Sequence, residues 1–359
     1  MNIFSRYLMR NIFIGFAAAA GLLIPLFTTF NLVNELDDVT AGGYHWTQAI
    51  LVVLMTLPRT LIDLGPFIAL LGGIVGLGQL SKNMELTAIR TTGFSILRIA
   101  MVALCTGLIL TVSLGVVDEW FASPLQQYAL QMKNAATALD GSNESQGNIL
   151  WARSGNEFVT VKALDDHNQP VGIEVFYYRP DRSLASYVYA SHATVLDGNM
   201  WTLNHVSEKN WVNGKEIVEV KESLKWRSIF TDMTLEELTM PSDSFSIKQL
   251  NQYIVYLINT GQPSIEFNMA LWQKIGRGIL TLAMILLAIP FTFTAPRSPG
   301  LGSRLAIGVI VGLLTYISYQ IVVNVGLLFR LNVEMVTIVP PTFLLIIALI
   351  LIYQFDRRS

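Results

Sequence analysis

The chain has 359 residues, of which 52% are hydrophobic and 14% charged, and its formal net charge is −2. Soluble domains carry about 25% charged residues, so this deficit, together with several apolar runs of about 20 residues, excludes an ordinary soluble protein and predicts a membrane protein. A single cysteine, Cys105, excludes an intramolecular disulfide. The sequence also lacks Cys-x-x-Cys, His-Glu-x-x-His and phosphate-loop motifs. We therefore expect a non-enzymatic chain without a metal or cofactor.

The first apolar run, at about 11–33, follows Arg6 and Arg10. It is too long for the core of a cleaved signal peptide, and no small-residue cleavage site follows it. The pattern predicts a retained first membrane helix.

The second apolar run, at about 48–80, would be about 48 Å long as a helix, against a hydrocarbon core of about 30 Å. It must therefore protrude, tilt or bend, and Pro58 and Pro66 are the places where it can bend. A third run spans about 96–117.

From Asp118 to about Phe267 the composition is polar, and several segments alternate apolar with polar residues. Turn residues separate them, and Asp197-Gly198-Asn199 and Asn213-Gly214 are typical of hairpins. An antiparallel β domain is predicted, with helical or irregular flanks at 121–139 and 246–260. The alternating segments are 157–163, 172–178, 186–191, 200–203 and 216–221.

Three more apolar runs follow, at about 269–294, 304–328 and 335–354, which gives six membrane helices, three on each side of the β insertion. Basic residues in short loops face the cytoplasm. They collect on one side, at Arg6, Arg10, Lys82, Arg90, Arg98, Arg297, Arg304, Arg357 and Arg358. The other short loops hold Glu35, Asp37, Asp38, Arg330 and Glu334. Both termini and the loop 79–95 are therefore predicted to be cytoplasmic, with the β domain outside.

The polar stretch 79–93 separates the second and third apolar runs. Read as a helix, it places Met84 and Ala88 on one face and Glu85 four residues before Ile89, and Gly93 would end it. Such a helix either docks in a groove of a partner or lies on the lipid headgroups.

Three cations lie near the outer membrane level. Arg59 and Arg277 each lie about 20 residues, or about 30 Å, before the cytoplasmic end of their helices, and Lys274 is one turn further out. A converging set would bind a phosphorylated lipid headgroup. The alternative is ordinary snorkelling, with Arg59 paired to Asp63.

Small residues at helical spacing occur in two runs. Gly72 and Gly76 lie in the second run, and Gly308 and Gly312 lie in the fifth. Such spacing permits close helix contact, either within the chain or at a subunit interface.

Four stretches carry a resemblance to a known family. They are 6–13, 66–95, 266–275 and Ala-Pro-Arg-Ser at 295–298. The second is the most specific, with Gly-Gly-Ile-Val-Gly-Leu-Gly-Gln-Leu-Ser-Lys-Asn-Met-Glu-Leu-Thr inside it. Together they resemble the LptF/LptG family, the membrane subunits of the lipopolysaccharide exporter, and 266–275 and 295–304 are more similar to the LptG branch.

The resemblance implies a membrane α-helical fold with an inserted periplasmic β-jellyroll, in the bacterial inner membrane. Helices 1–3 would occupy 1–120, the jellyroll with its connectors 121–265, and helices 4–6 would occupy 266–359. The implied partners are LptF in a heterodimer, an LptB ATPase dimer and LptC. The implied function is to extract lipopolysaccharide from the outer leaflet and pass it to the periplasmic bridge.

The resemblance also implies site residues. A coupling helix at about 81–92 would dock in LptB, and Arg59 and Lys274 match headgroup positions, to which the residues above add Arg277. The coupling residues are Ser81, Met84, Glu85, Ala88, Ile89 and Arg90. A competing hypothesis is a membrane-anchored periplasmic sensor or assembly scaffold, which would not co-purify with an ATPase.

Overall fold

A computed structural model describes residues 3–40, 43–138, 150–165, 169–195, 200–212, 215–230, 240–259, 262–292, 301–329 and 331–358. The chain divides into two units. The first comprises 1–37, 50–126 and 268–359, and the second comprises 38–49 and 127–267. The predicted hairpin turns at 197–199 and 213–214, and the basic residues Arg297 and Arg330, lie outside the described residues.

The first unit is helical, as the apolar runs predict. Within the described ranges, five helices are long and apolar enough to cross a membrane, and a bent pair supplies a sixth span if it is counted as one. The helices are α1 Ile3–Asp37, the pair α2 Trp46–Asp63 and α3 Gly65–Lys82, then α5 Ile96–Val117, α8 Ile265–Thr292, α9 Leu301–Leu328 and α10 Val333–Arg358. The short helix α4, Glu85–Thr91, lies between α3 and α5.

The second apolar run is bent by 63° between α2 and α3. Pro66 lies in the first turn of α3, where its missing N–H costs no helical hydrogen bond. Pro58 lies inside α2. The run therefore bends beside Pro66 and not at Pro58.

Helix α3 lies at the centre of the helical unit, and its glycines let neighbouring helices approach closely. A Cβ added to Gly76 would lie 2.6 Å from the carbonyl oxygen of Asn11, so α1 and α3 touch through their backbones. On the other side, Gly308 faces Ile74 and Gly312 faces Leu70. Gly72 in turn packs against Phe16. All four glycines that the sequence predicts at close helix contacts therefore lie in contacts within the chain.

Helix α5 does not end where the polar composition begins. It continues into a π-helical segment, Asp118–Ala122, and then into α6, Ser123–Ala138. The flank predicted as helical or irregular at 121–139 is thus helical over its described part. Helix α7, Ile247–Asn259, occupies the other flank.

The second unit contains one antiparallel sheet, in which the described strands pair in chain order. They are β1 Leu150–Ser154, β2 Glu157–Leu164, β3 Pro170–Tyr178, β4 Leu184–Val195, β5 Met200–Val212 and β6 Lys215–Arg227. Alternate residues, such as Val159 and Val161 on β2 and Ile173 and Val175 on β3, are fully buried. The predicted fold class, membrane helices with an inserted jellyroll-like β domain, is confirmed. Strand β1 lay outside the predicted segments.

Candidate functional site

Two of the three predicted outer cations, Arg59 and Lys274, converge on one buried carboxylate. Lys274 on α8 donates a hydrogen bond of 2.6 Å from Nζ to Oδ2 of Asp118. Arg59 on α2 places Nη1 3.4 Å from Oδ1 of the same carboxylate. All three side chains are at most 9% exposed. The first residue of the π-helical segment therefore joins α2 and α8 to α5.

A second carboxylate completes the set on its exposed side. Arg277 on α8 pairs with Asp63, which also lies 3.4 Å from Nε of Arg59. The Arg277 side chain is 25% exposed and the Asp63 side chain 48% exposed. The cation cluster, defined as Arg59, Lys274 and Arg277 with Asp63 and Asp118, thus has a buried half and an open half.

The ion pairs of the cation cluster explain how charged side chains can be buried in the helical unit. A charge removed from water is costly unless a counter-charge and hydrogen bonds compensate it. Asp118 has both, because Ser123 also donates to its Oδ1 at 3.3 Å. Three cations and two carboxylates leave a formal excess of one positive charge, which favours an anionic ligand.

Both interpretations of the outer cations find support in this geometry. The Arg59–Asp63 pair of the snorkelling interpretation is present, and so is the convergence that a headgroup site needs. Sequence reasoning missed Asp118 as a member, since it read this residue as the start of the polar insertion. An acidic side chain at the very end of an apolar run was the signal that could have found it.

The polar stretch at the other end of α3 is two helices rather than one. Helix α3 ends at Lys82, and Met84 adopts a left-handed conformation with φ of 60° before α4 begins at Glu85. The helix expected at about 81–92 is therefore shorter, and Ser81 belongs to α3. Gly93, with φ of +90°, follows α4 as predicted.

Helix α4 has a buried and an exposed face. Leu86 and Ile89 are buried in the helical unit, while Met84 is 61% exposed and Ala88 is also exposed. Ile89, which the sequence predicts to take part in docking, packs its side chain inside this chain. Arg90 is half-buried.

Two polar contacts tie this region to other helices. Tyr7 on α1 donates a hydrogen bond of 2.6 Å to Glu85. Ser81 donates one of 2.9 Å to the carbonyl oxygen of Thr292 on α8. Displacement of α4 would consequently reach α1, and displacement of the end of α3 would reach α8.

The described ranges contain no group of three or more His, Cys, Asp or Glu side chains arranged to hold a metal ion. The chemistry that the cation cluster and the region around α4 offer is recognition by charge and hydrogen bonding.

These features define a class: multi-pass helical membrane proteins with an antiparallel β domain inserted between two sets of spans. Residues 6–354 match the family "Lipopolysaccharide export system permease LptF/LptG", and the chain belongs to that family. It is accordingly a multi-pass protein of the inner membrane. The resemblance seen in the sequence is confirmed.

Two relatives extend the comparison over most of the chain. The lipopolysaccharide export system permease protein LptG of Escherichia coli (strain K12) is 28% identical over 322 residues, which cover 89% of each chain. The protein of the same name from Haemophilus influenzae is 29% identical over 322 residues, covering 89% of this chain and 90% of its own.

Proposed function

We propose that the chain is the LptG-type permease subunit of an ATP-driven lipopolysaccharide exporter. It extracts lipopolysaccharide from the outer leaflet of the inner membrane and passes it to a periplasmic bridge toward the outer membrane. The observation that carries this proposal is the family match over residues 6–354, supported by two relatives named LptG that align over 89% of the chain.

The proposed partners are LptF as the second permease half, two copies of the ATPase LptB, and LptC. The absence of a phosphate-loop motif from the sequence is in keeping with ATP hydrolysis on a separate chain. The distribution of basic residues supports an orientation with both termini and α4 in the cytoplasm and the β domain in the periplasm.

On the cytoplasmic side, α4 receives the movement of the ATPase. Its exposed face, with Met84 and Ala88, docks in a groove of LptB, and Glu85 meets a basic group there. Nucleotide binding shifts the transporter between states only if these contacts differ between the states. The bonds from Glu85 to Tyr7 and from Ser81 to Thr292 then carry the displacement into α1 and α8.

On the outer side, the cation cluster holds the phosphates of the lipid. Arg277 makes the first contact, since its side chain is partly exposed, whereas those of Arg59 and Lys274 are buried. Narrowing of the cavity between the two permease halves drives the lipid upward, and its acyl chains enter the β domains.

The test is affinity purification of the detergent-solubilised protein, followed by mass spectrometry of the protein chains and lipids retained. We expect the ATPase, the second permease subunit and lipopolysaccharide in one complex. Recovery of a signalling kinase, or of the chain without an ATPase, would instead favour a periplasmic sensor or assembly scaffold.

A further inference from the structure

Asp118 is a buried carboxylate that the proposed transport mechanism does not use. One of its oxygens accepts a hydrogen bond from Lys274 at 2.6 Å, and the other lies 3.4 Å from Nη1 of Arg59. It is the point at which α2, α5 and α8 meet through charged groups.

This geometry makes two of the cations inaccessible to a lipid. Carboxylate and phosphate oxygens accept the same charge-assisted hydrogen bonds from Lys and Arg. The oxygens of Asp118 therefore occupy positions that phosphate oxygens would take on Arg59 and Lys274. Only Arg277, paired with the half-exposed Asp63, is open to solvent or headgroups.

We propose that Asp118 is a positioning residue that closes the cation cluster. A phosphorylated headgroup first exchanges with Asp63 at Arg277, and it reaches Arg59 and Lys274 only when it displaces Asp118. The cluster is then an exchange site for anionic phosphate, in which the protein's own carboxylates hold the cations until the lipid arrives. This inference rests on the proposed function and adds the order in which the cations become available.

The backbone at Asp118 supplies a way to move the carboxylate. Asp118 is the first residue of a π-helical segment, in which hydrogen bonds join residues five apart instead of the four of an α-helix. Conversion of that segment to α-helix shifts the register by one residue, which turns α5 together with Asp118 by about 100° around the helix axis relative to the residues after the segment. Such a turn would withdraw Asp118 from both cations without unfolding α5.

The first experiment uses Asp118→Asn in the assembled complex with its ATPase and second permease subunit. Binding of purified lipopolysaccharide is compared with binding of phosphatase-treated lipopolysaccharide. If the open state of the wild type is populated at about 10%, removal of the charge raises the apparent affinity for the phosphorylated lipid about tenfold. Affinity for the dephosphorylated lipid stays unchanged.

Asp118→Glu is the matched control, since it keeps the negative charge and is expected to retain wild-type affinity. A merely structural role would lower the binding of both lipids in Asp118→Asn, and this result, or unchanged affinity for both, would overturn the proposal.

A second measurement leaves Asp118 intact and decides the matter if Asp118→Asn fails to assemble. A Cβ built on Gly278 of α8 lies 3.1 Å from Cγ2 of Thr111 on α5. Thr111→Cys with Gly278→Cys, in a Cys105→Ser background, therefore reports the approach of α5 to α8 by disulfide formation. Phosphorylated lipopolysaccharide should slow this crosslink several-fold, and the dephosphorylated lipid should not.

Equal crosslinking rates with both lipids would contradict the proposal that the phosphorylated headgroup displaces Asp118. Failure of the proposed function has a different signature, because the wild-type complex would then bind neither lipid.

Discussion

The hydroxyl of Tyr7 lies 2.6 Å from the carboxylate of Glu85, so the N-terminal helix is hydrogen-bonded to α4 across 78 residues of sequence. Glu85 also accepts a hydrogen bond from Asn83 at 3.3 Å, in the link between α3 and α4. A basic group of an ATPase that binds Glu85 would compete with these donors. The engagement of α4 is thereby connected to the position of α1.

Tyr7→Phe removes the donor and keeps the ring. We expect the complex to assemble normally, because this contact is exposed, but to release several-fold less lipopolysaccharide per ATP hydrolysed. The measurement pairs ATPase activity with lipid release in proteoliposomes. Tyr353→Phe is the matched control, since the ring contact with Arg357 survives the loss of the hydroxyl. An unchanged ratio of release to hydrolysis in Tyr7→Phe would argue against this route.

Glu85→Lys reverses the charge at the proposed ATPase contact. We expect less ATPase to co-purify, or hydrolysis to continue without lipid release, because the new ammonium repels a basic groove. Glu85→Gln separates the two roles, since it keeps an acceptor for Tyr7 and loses only the charge. Normal assembly and normal release in Glu85→Lys would remove α4 from the coupling mechanism.

Arg277→Gln tests the open half of the cation cluster. Photocrosslinking of lipopolysaccharide should fall several-fold while the complex stays assembled, because the Arg277 side chain is partly exposed and pairs with Asp63 on the open side of the cluster. Crosslinking at the wild-type level would favour snorkelling without a headgroup role.

Lys274→Met tests the buried half of the cluster. Asp118 loses its closest cation and keeps the longer contact with Arg59 and the hydrogen bond from Ser123, so the free energy of unfolding should fall by about 1–3 kcal/mol. Denaturation of the purified complex measures this loss. The double change Arg59→Ala plus Lys274→Ala would leave the buried Asp118 carboxylate without either cation, so we expect the complex not to assemble.

Gly15→Ala should destabilise the helical unit. The added Cβ would lie 2.1 Å from the carbonyl oxygen of Gly72, and a backbone atom cannot move aside as a flexible side chain can. Overpacking of this kind costs about 1–3 kcal/mol or more. Gly21→Ala on the same helix is the control, since a Cβ there meets no described atom within 4 Å. Thermal melting of the two variants should separate them, and equal melting temperatures would contradict the close approach of α1 and α3.

Helices and strands of this chain were predictable where one property of the sequence, such as the length of an apolar run, determines the element. Run length and apolarity placed the helices, and the third run at 96–117 coincides with α5. The second run is too long for a straight membrane span and was predicted to protrude, tilt or bend. In the structure it is bent beside Pro66. Period-two alternation located β2 to β6, but three strands, β4, β5 and β6, are much longer than their predicted segments, because cross-strand pairing extends them beyond the alternating residues.

The site was less predictable, because its members are brought together by tertiary structure. Hydropathy treats Asp118 as the edge of an apolar run, whereas in the fold its carboxylate accepts a hydrogen bond from Lys274, 156 residues away in sequence. The helix predicted from Ser81 onward was likewise assumed to be continuous. The left-handed conformation of Met84 interrupts it, so the residues of α4 face other directions than a continuous helix would give them. That shift explains why Ile89 packs inside the chain while Met84 and Ala88 remain exposed.

The most direct test of lipopolysaccharide export driven through α4 is release of lipopolysaccharide from proteoliposomes that contain the complete complex, with and without ATP. Release should require ATP and this chain together, and Met84→Asp with Ala88→Asp on the exposed face of α4 should abolish it while the permease subunits still associate. Release that proceeds at the same rate with the doubly substituted α4, or without this chain, would contradict the proposal.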